Sequence, residues 1–329
     1  MPSSHSPDWR PTADLSHLRR RAEALAAIRH FFRQRGVLEV DTPVLSGAAA
    51  TDPALASLET RYTGPGAAHG RALYLHTSPE LAMKRLLAAG SGPIYQLCKV
   101  FRDGERGRRH NPEFTLLEWY RTGFDHHQLM DEVEALLSAA LERPLPAASR
   151  WTYRDLFVAL AGIDPLTADG AALAACARRH AVACPAHMTE ADRDPWLDLL
   201  LTHVVEPQLG PGPVFVYDYP ASQAALARLR SGSPPVAERF ELYFDGVELA
   251  NGFHELADAA EQRRRLDHEL ERRRGAGLPG PPVDARFLAA LEHGLPDCSG
   301  VALGVDRLVM CAVGATDIDQ VIAFPVERA

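Results

Sequence analysis

The sequence predicts an α+β fold in which a mostly antiparallel sheet is flanked by helices. Two hairpins and one strand-to-helix junction carry this prediction. Phe240 to Ala250 reads as two strands around Asp245-Gly246, a favoured two-residue turn. A longer hairpin runs from Ile94 to Tyr120, and residues 300–307 lead from an apolar strand into a helix. Strands that pair as hairpins, with helical stretches set between them, favour an antiparallel sheet backed by helices.

Each element has its own local signal. Helices follow from apolar residues at three- and four-residue steps, and strands from alternation or short apolar runs. Ser78 suits an N-cap, Pro79 the first helical position and Gly90 the helix end. In chain order the predicted elements are a helix at 15–35, strands at 37–40 and 73–75, a helix after Ser78, strands at 94–102 and 114–120, helices at 128–141 and 196–205, a strand at 214–219, the hairpin at 240–250, a helix at 255–274 and the junction at 300–307.

The domain organisation predicted from these elements is simple. Residues 1–14 form a polar segment, and residues 15–329 form one domain. Residues 125–235 are interpreted as an insertion in that domain, because no low-complexity linker bounds them.

The composition narrows the class of protein. Of 329 residues, 46% are hydrophobic and 24% are charged, which is ordinary for a globular chain. No window offers the ~18 uninterrupted apolar residues of a membrane span, and the N-terminus lacks an apolar signal core. We therefore expect a cytoplasmic protein without membrane association. The net charge of −8 argues against non-specific nucleic-acid binding. The five cysteines contain no C-x-x-C pair, which favours free thiols over a zinc site.

The Asp245-Gly246 hairpin brings two carboxylates together. The expected cross-strand pairs are Phe244 with Val247, Tyr243 with Glu248, and Leu242 with Leu249. Glu241 then shares a face with Glu248, as diagonal neighbours about 7–8 Å apart at the backbone. Converging carboxylates repel unless a cation or a shared proton lies between them, and Mg²⁺ bridging a polyphosphate meets that need. On spacing alone, a solvated face with two unrelated glutamates is the alternative.

Further features suggest a ligand that has both a cationic end and phosphate groups. The return strand of the long hairpin places Glu118 and Tyr120 on one face, where a cationic end of a ligand would fit. Gly304 permits close approach to the backbone, and Arg307 follows at a helix start, where anions are favoured. The hairpin loop holds groups that can grip phosphate, namely Arg102, Arg106, Arg108, Arg109 and His110. The structural alternatives are a solvated basic loop and a packing glycine; His254 fits a hydrogen-bonded structural residue better than a general base.

In their order these motifs resemble the class II aminoacyl-tRNA synthetases, specifically the lysyl type. Residues 36–43, 101–114 and 304–307 resemble motifs one, two and three, and residues 77–80 and 248–255 resemble the lysine-pocket segments. The resemblance spans nearly the whole chain and implies the antiparallel class II sheet. Neither a Rossmann nor a P-loop signature is present, which agrees with that different way of holding a nucleotide.

The resemblance implies ATP and Mg²⁺ as co-substrate and cofactor, and a role for each matching residue. Arg102, on the α-phosphate and substrate carboxylate, and Arg307, on the γ-phosphate, would be the catalytic residues. Glu241 and Glu248 would hold Mg²⁺. The other ATP-binding residues would be Asp103, Gly104, His110, Asn111, Glu113, Phe114 (stacked on adenine), Leu249 and Gly304. The pocket for a lysine-like substrate would comprise Ser78, Pro79, Glu80, Glu118, Tyr120, Asn251, Phe253, Glu255 and Ala302.

Four departures from the lysyl pattern refine the expectation. A first helix near Leu15 leaves no room for the N-terminal OB-fold that reads the anticodon. Motif two has Gly104 where Arg-x-Glu is usual, and His254 replaces a small polar residue. Ala302 replaces a glycine, and its added methyl would narrow the pocket and disfavour α-lysine.

Together the departures resemble the truncated lysyl-synthetase paralogues that modify elongation factor P. That resemblance implies activation of (R)-β-lysine as an adenylate and its transfer to a lysine side chain of the factor. It also implies a homodimer through the motif-one proline Pro43, and no stable tRNA binding. The alternatives are a minimal synthetase acting on tRNA or a small amine, and a catalytically inactive regulatory paralogue. Decay of the ATP residues would favour the last, but they are present together.

Overall fold

The computed structural model describes residues 9–67, 69–185 and 188–329. Residues 1–8 of the predicted polar segment lie outside the described residues. The rest of that segment contacts the C-terminal part of the chain, because the Thr12 amide donates a hydrogen bond to the Ala323 carbonyl at 2.9 Å.

The described residues form α-helices and β-strands that are mixed along the chain. The helices are α1 (Leu15–Gln34), α2 (Glu80–Ala88), α3 (His126–Leu141), α4 (Tyr153–Ala161), α5 (Gly170–Arg179), α6 (Asp194–Leu200), α7 (Ala259–Gly275), α8 (Ala285–His293) and α9 (Val305–Val313). The strands are β1 (Leu38–Glu39), β2 (Leu45–Ser46), β3 (Glu59–Tyr62), β4 (Arg71–Leu75), β5 (Ile94–Phe101), β6 (Glu113–Thr122), β7 (Ser149–Thr152), β8 (Pro213–Pro220), β9 (Leu229–Arg230), β10 (Val236–Phe244), β11 (Val247–His254) and β12 (Cys298–Gly304).

The main sheet confirms the predicted antiparallel architecture. Its strand order is β1-β5-β6-β12-β11-β10-β8-β7, with β9 paired to β10. Only the outer pairs β1–β5 and β7–β8 run parallel among the strands described. A small second sheet has the order β2-β4-β3.

The two faces of the sheet have different partners. One face packs against α1, α3 and α9, where Ile28, Phe32 and Trp119 belong to the largest apolar cluster. The next residue on β6, Tyr120, points the other way and packs with Phe287 of α8 and Met83 of α2. This alternation leaves the second face of β6, β12 and β11 under two short helices and open between them.

Residues 125–235, the segment proposed as an insertion, contribute to two packing units. Helix α3 packs with α1 on the main core. Helices α4, α5 and α6 form a separate apolar cluster that includes Phe157, Leu173 and Trp196, against β8. A π-helical turn at Leu201–Val205 continues α6, where a single longer helix was predicted. No helix in the described part of the chain is long and apolar enough to cross a bilayer.

The predicted hairpin register is wrong beyond its first two pairs. Phe244 pairs with Val247 and Tyr243 with Glu248 as expected, but Leu242 then pairs with Ala250. Leu249 is the extra residue of a β-bulge, buried in the main core. A bulge depends on packing from both sides of the strand, so a two-residue turn cannot reveal it.

Two predicted helix starts are also wrong. Helix α7 begins at Ala259, because Asp258 caps it through the Glu261 amide, and the Glu255 amide donates instead to the Cys298 carbonyl at 3.0 Å. The N-cap of α2 is Pro79. Ser78 still satisfies the helix start, since its Oγ accepts the Glu80 amide at 3.0 Å.

Candidate active site

A cavity of about 1070 Å³ lies over β6, β12 and β11, between α2 and the start of α8. All but four of the predicted site residues line it: Ser78, Pro79, Glu80, Arg102, His110, Asn111, Phe114, Glu118, Tyr120, Glu248, Leu249, Asn251, Phe253, Glu255, Ala302, Gly304 and Arg307. Asp103, Gly104, Glu113 and Glu241 lie outside its lining. Residues far apart in sequence therefore meet in one space large enough for two small ligands.

One end of the cavity carries an arginine beside an aromatic ring. Arg102 Cζ lies 5.0 Å from the centroid of the Phe114 ring, a cation–π distance. Among the described residues Arg102 Nε is buried without a hydrogen-bond partner, so the guanidinium retains a donor for a ligand. This pair suits a planar base joined to a phosphate.

A second guanidinium reaches the same end from the first turn of α9. Arg307 Nη1 donates to the Glu248 carbonyl at 2.8 Å, and Nη2 lies 2.7 Å from His110 Nε2. Burial lowers the pKa of His110, and the Arg307 charge lowers it further. A neutral His110 accepts the hydrogen bond and directs Arg307 into the cavity.

An ion pair between Asp306 and Arg21 lies behind the two cavity residues Phe114 and Arg307. Asp306, 2% exposed, binds Arg21 Nη1 at 2.6 Å through Oδ1 and accepts the Thr115 amide at 2.6 Å through Oδ2. Asp306 precedes Arg307, and Thr115 follows Phe114. The pair therefore locks the start of α9 to β6, next to both cavity residues.

Asn111 and Glu113 lie at the edge of the motif-two hairpin. Asn111 Nδ2 donates to the Glu113 carbonyl at 2.7 Å, and Asn111 Oδ1 accepts the Val326 amide at 3.1 Å. The Glu113 carboxylate lies 3.3 Å from Lys99 Nζ and is half exposed. These contacts fix the hairpin, and both polar atoms of the Asn111 side chain are hydrogen-bonded to the protein backbone.

Glu241 lies beside the cavity within a polar network. Its Oε2 accepts hydrogen bonds from Tyr243 at 2.6 Å and Tyr219 at 2.7 Å, and its Oε1 lies 2.5 Å from Arg239 Nη2. A carboxylate oriented by three donors presents its remaining lone pairs in a fixed direction.

Two further carboxylates stand near Glu241. The pKa of Glu248 is raised by its removal from water and then by the Glu241 charge, against the opposing effect of Arg307. Glu206, not singled out from the sequence, has its pKa raised by burial and then by Glu241 and Glu248. Neighbouring carboxylates whose charges raise the pKa of Glu206 and of Glu248 mark a place where a divalent cation would relieve repulsion, so this set fits Mg²⁺.

The other end of the cavity holds a buried acid. Glu118, 2% exposed, accepts hydrogen bonds from Ser78 Oγ at 2.6 Å and from the Tyr120 hydroxyl at 2.7 Å. Burial, followed by the Glu80 charge, raises the pKa of Glu118 to about 8, although these hydrogen bonds and Lys84 lower it. Such a site favours a cationic ligand group, which would replace the missing water.

A buried lysine joins two more acids at this end. Lys84, 1% exposed, lies 2.7 Å from Glu80 and 2.5 Å from Glu255. Burial lowers the Lys84 pKa, but the two carboxylates outweigh it and the net direction is upward. Burial raises the pKa of Glu255 to about 7, against the Lys84 charge. The pocket thus contains three acids and a single internal ammonium.

Small residues of β12 set the depth of this end. A Cβ at Gly300 would lie 2.2 Å from the Tyr120 ring and 2.6 Å from Glu255 Oε1. Gly300 therefore lets those two side chains converge. Two residues on, Ala302 pairs with Glu118 and Asn251 of the neighbouring strands, and its methyl group lines the cavity.

The comparison with protein families agrees with this geometry. The family model described as tRNA synthetases class II (D, K and N) matches residues 7–328. The chain belongs to the class II aminoacyl-tRNA synthetase family.

Several relatives in this family are similar over their full length. An elongation factor P–(R)-beta-lysine ligase of Edwardsiella ictaluri is 54% identical over 98% of this chain and 98% of its own. The proteins of the same name from Vibrio vulnificus and Yersinia enterocolitica are each 54% identical, over 97% and 99% of this chain and 98% and 100% of their own.

The class II motif two has an unusual loop in this chain. Gly104 has a φ of +77°, a left-handed conformation that favours glycine, and the Asp103 amide donates to the Ala56 carbonyl at 2.8 Å. Glu105 lines the cavity, with Oε1 3.7 Å from Arg102 Nη1. A carboxylate thus stands beside Arg102 although position 104 lacks one.

Sequence reasoning missed other parts of this class II site, above all Lys84 and Arg239. Lys84 stands four residues after Glu80, a spacing that predicts a helix-surface ion pair and not a buried one. The apolar residues Met83 and Leu87, which lie next to Lys84 on the helix and are buried, were the sequence signal that this face is buried. His254 has the structural environment expected of it, with Nδ1 2.6 Å from Glu238 and Nε2 3.0 Å from Asp297.

Proposed function

We propose that this protein is an ATP-dependent ligase. It activates (R)-β-lysine as an aminoacyl-adenylate and transfers it to a lysine side chain of elongation factor P. The full-length similarity to ligases of that name supports the proposal. So does the meeting of basic, aromatic and acidic side chains in one cavity.

The observation that carries the proposal is the polarity of the cavity. One end holds Arg102, Phe114 and Arg307, and the other holds Glu118 and Glu255. An amino acid with its ammonium groups at the acidic end would direct its carboxylate toward Arg102. A carboxylate near the α-phosphorus of ATP can attack it in line, with pyrophosphate leaving.

The residues at the nucleotide end would act by position and charge. Phe114 would stack on the adenine, Arg102 would bind both the α-phosphate and the attacking carboxylate, and Arg307 would bind the γ-phosphate. Glu241 and Glu248 would hold Mg²⁺, which neutralises phosphate charge when bound. His110, kept neutral, would hold Arg307 in place while charge builds on the leaving pyrophosphate.

The acidic end would select the substrate. Glu80 would bind the ammonium nearer the carboxylate, and Glu255 with Glu118 the distal one, while Asn251 and Phe253 would shape the wall. The Ala302 methyl would exclude an amino group at the α position and admit the shifted β-amino acid. The acceptor lysine would then attack the adenylate carbonyl and release AMP.

The proposal includes a cytoplasmic homodimer. Near motif one, Leu38 on the edge strand β1 and Leu45 on β2 are 56% and 46% exposed. Large apolar side chains exposed together often mark a contact surface. A second copy of the chain, paired through this region and Pro43, would cover them.

ATP–pyrophosphate exchange tests the first step. Purified protein is assayed with (R)-β-lysine, with α-lysine and without substrate. We expect exchange that prefers (R)-β-lysine. No exchange with any lysine-like acid contradicts the ligase and favours an inactive regulatory paralogue.

Transfer is tested separately, with elongation factor P and lysine tRNA offered in parallel. The expected product is elongation factor P heavier by one lysyl residue, located on a lysine by fragmentation mass spectrometry. A product on tRNA alone would indicate the minimal synthetase instead.

A further inference from the structure

A polar cluster on the far side of the β11 end is separate from the cavity. His126 begins α3, Glu238 lies on β10 and His254 ends β11. One ligand atom from each lies within 4.8 Å of the others. None of the three lines the cavity, and the proposed reaction uses none of them. Two imidazoles and a carboxylate are a donor set that suits Zn²⁺.

His126 gives an independent sign of a missing partner. It is 2% exposed, and within the described chain neither of its ring nitrogens has a hydrogen-bond partner. Asp218 Oδ1, also without a partner, is 3.6 Å from His126 Nε2. A buried imidazole with Nδ1 unsatisfied and Nε2 only loosely engaged by Asp218 is costly, and a bound ion or water explains such a group.

His254 is oriented as metal-binding histidines usually are. Its Nε2 lies 3.0 Å from Asp297 Oδ1 and its Nδ1 lies 2.6 Å from Glu238 Oε2. If Nε2 donates to Asp297, the Nδ1 lone pair faces a carboxylate oxygen, and either a proton on Nδ1 or a bound metal ion relieves that contact. Histidine ligands commonly donate their second N–H to a carboxylate in this way.

Apart from His254, no charged side chain among the described residues forms an ion pair with the inner oxygen of Glu238, Oε2. Arg230 is ion-paired with Asp218 and lies 3.9 Å from Glu238 Oε1, whereas His254 contacts Glu238 Oε2. Arg228 pairs with Asp297 at 2.6 Å. Both arginines thus pair with the carboxylates of Asp218 and Asp297, which lie beside the cluster.

We propose that His126, Glu238 and His254 form a three-ligand site for a transition-metal dication such as Zn²⁺, with a water molecule as the fourth ligand. Donors on one tetrahedral Zn²⁺, with bonds of about 2.0–2.2 Å, stand roughly 3.3–3.6 Å apart. Rotation of the His126 ring toward the cluster closes the difference from 4.8 Å, and Glu238 moves back from His254 to admit the ion. The metal ties the start of α3 to the ends of β10 and β11.

The proposed metal site lies next to two residues that line the cavity. His254 stands between Phe253 and Glu255, and both of these neighbours line the cavity. A metal bound to His254 would hold that strand end without touching a ligand in the cavity.

The test measures metal binding directly on the full-length protein. Chelator-treated protein is titrated with Zn²⁺ against a competing indicator, in excess Mg²⁺ to occupy the carboxylates near Glu241. We expect one equivalent bound and a higher unfolding temperature when Zn²⁺ is present. Co²⁺ in its place should give the visible absorption of a tetrahedral nitrogen–oxygen site.

Two variants assign the binding. His126→Gln should weaken Zn²⁺ binding by roughly 100-fold or more, whereas the matched control His127→Gln, one position along and outside the cluster, should bind as the parent does. Equal binding by both variants overturns the proposal. If His126→Gln fails to fold, Glu238→Gln takes its place. Absence of both a Zn²⁺ equivalent and a Co²⁺ band in the parent protein overturns the proposal without any variant.

Discussion

At the scale of single residues, the acidic end of the cavity holds protons that its acids would lose in water. Burial raises the pKa of Glu118 to about 8 and that of Glu255 to about 7. Both folded-state pKa values lie above the ordinary carboxyl value. Their contribution to stability is therefore fully present in acid and is lost as the pH rises through 7 and 8. Ionisation of Glu118 and Glu255 therefore lowers the stability of the free protein, and a bound cation would offset the two negative charges.

The first prediction concerns pH. We expect kcat/KM for (R)-β-lysine to rise between pH 6 and 8.5, because Glu255 and Glu118 become anionic in that window while the substrate keeps its ammonium groups. The KM for ATP should change little. Pyrophosphate exchange across this range measures both constants. A profile for the amino acid as flat as that for ATP contradicts the assignment of these two acids.

The second prediction concerns Ala302. Ala302→Gly removes the methyl that narrows the pocket. The ratio of kcat/KM for α-lysine to kcat/KM for (R)-β-lysine should therefore rise by about 10-fold or more. Parallel exchange assays with the two amino acids give the ratio. The matched control is Ala72→Gly on the exposed strand β4, which should leave the ratio as it is. An unchanged ratio in Ala302→Gly would show that specificity lies elsewhere.

At the scale of elements, irregularities of the strands place the site. The β-bulge at Leu249 adds one residue to β11, so Glu248 and Asn251, three apart, both line the cavity. A regular strand would turn one of them to the opposite face. The joint between β6 and α9 is equally specific, because Asp306 fastens the helix that carries Arg307.

The third prediction concerns that joint. Asp306→Asn removes the buried counter-charge of the partly buried Arg21, which should destabilise the protein by about 2–4 kcal/mol. Denaturant unfolding measures the loss. The control is Asp319→Asn, which breaks the exposed ion pair with Arg106 and should cost about 1 kcal/mol or less. Equal losses in the two variants would mean that the buried pair has no special part in fixing α9.

At the scale of the whole molecule, the fourth prediction concerns association. If motif one pairs two chains, the protein should sediment with twice its chain mass of 36.0 kDa. Leu38→Arg should shift it toward the monomer, because the new charge would be buried between the chains. Leu229→Arg, at a similarly exposed leucine far from motif one in sequence, is the control and should stay dimeric. A monomeric parent at micromolar concentration ends the dimer proposal.

The sequence predicted the fold best where local signals and packing agree. The Asp245-Gly246 turn, the helix beginning at Leu15 and the strand leading to Arg307 are all as predicted. It failed where the outcome depends on distant partners. The bulge at Leu249 follows from contacts on both sides of β11, and the burial of Lys84 follows from two acids, one of them far along the chain.

The acidic end of the cavity, around Lys84, carries a net negative charge when its acids are ionised. Glu80, Glu118 and Glu255, once ionised, carry three negative charges, and Lys84 returns one positive charge. Two remain uncompensated at this buried end of the cavity, and a ligand with two ammonium groups would restore electroneutrality. An amino acid of the same shape with an uncharged side chain would leave one anion stranded. We therefore expect the site to distinguish diamino acids from their uncharged isosteres by charge as well as by shape.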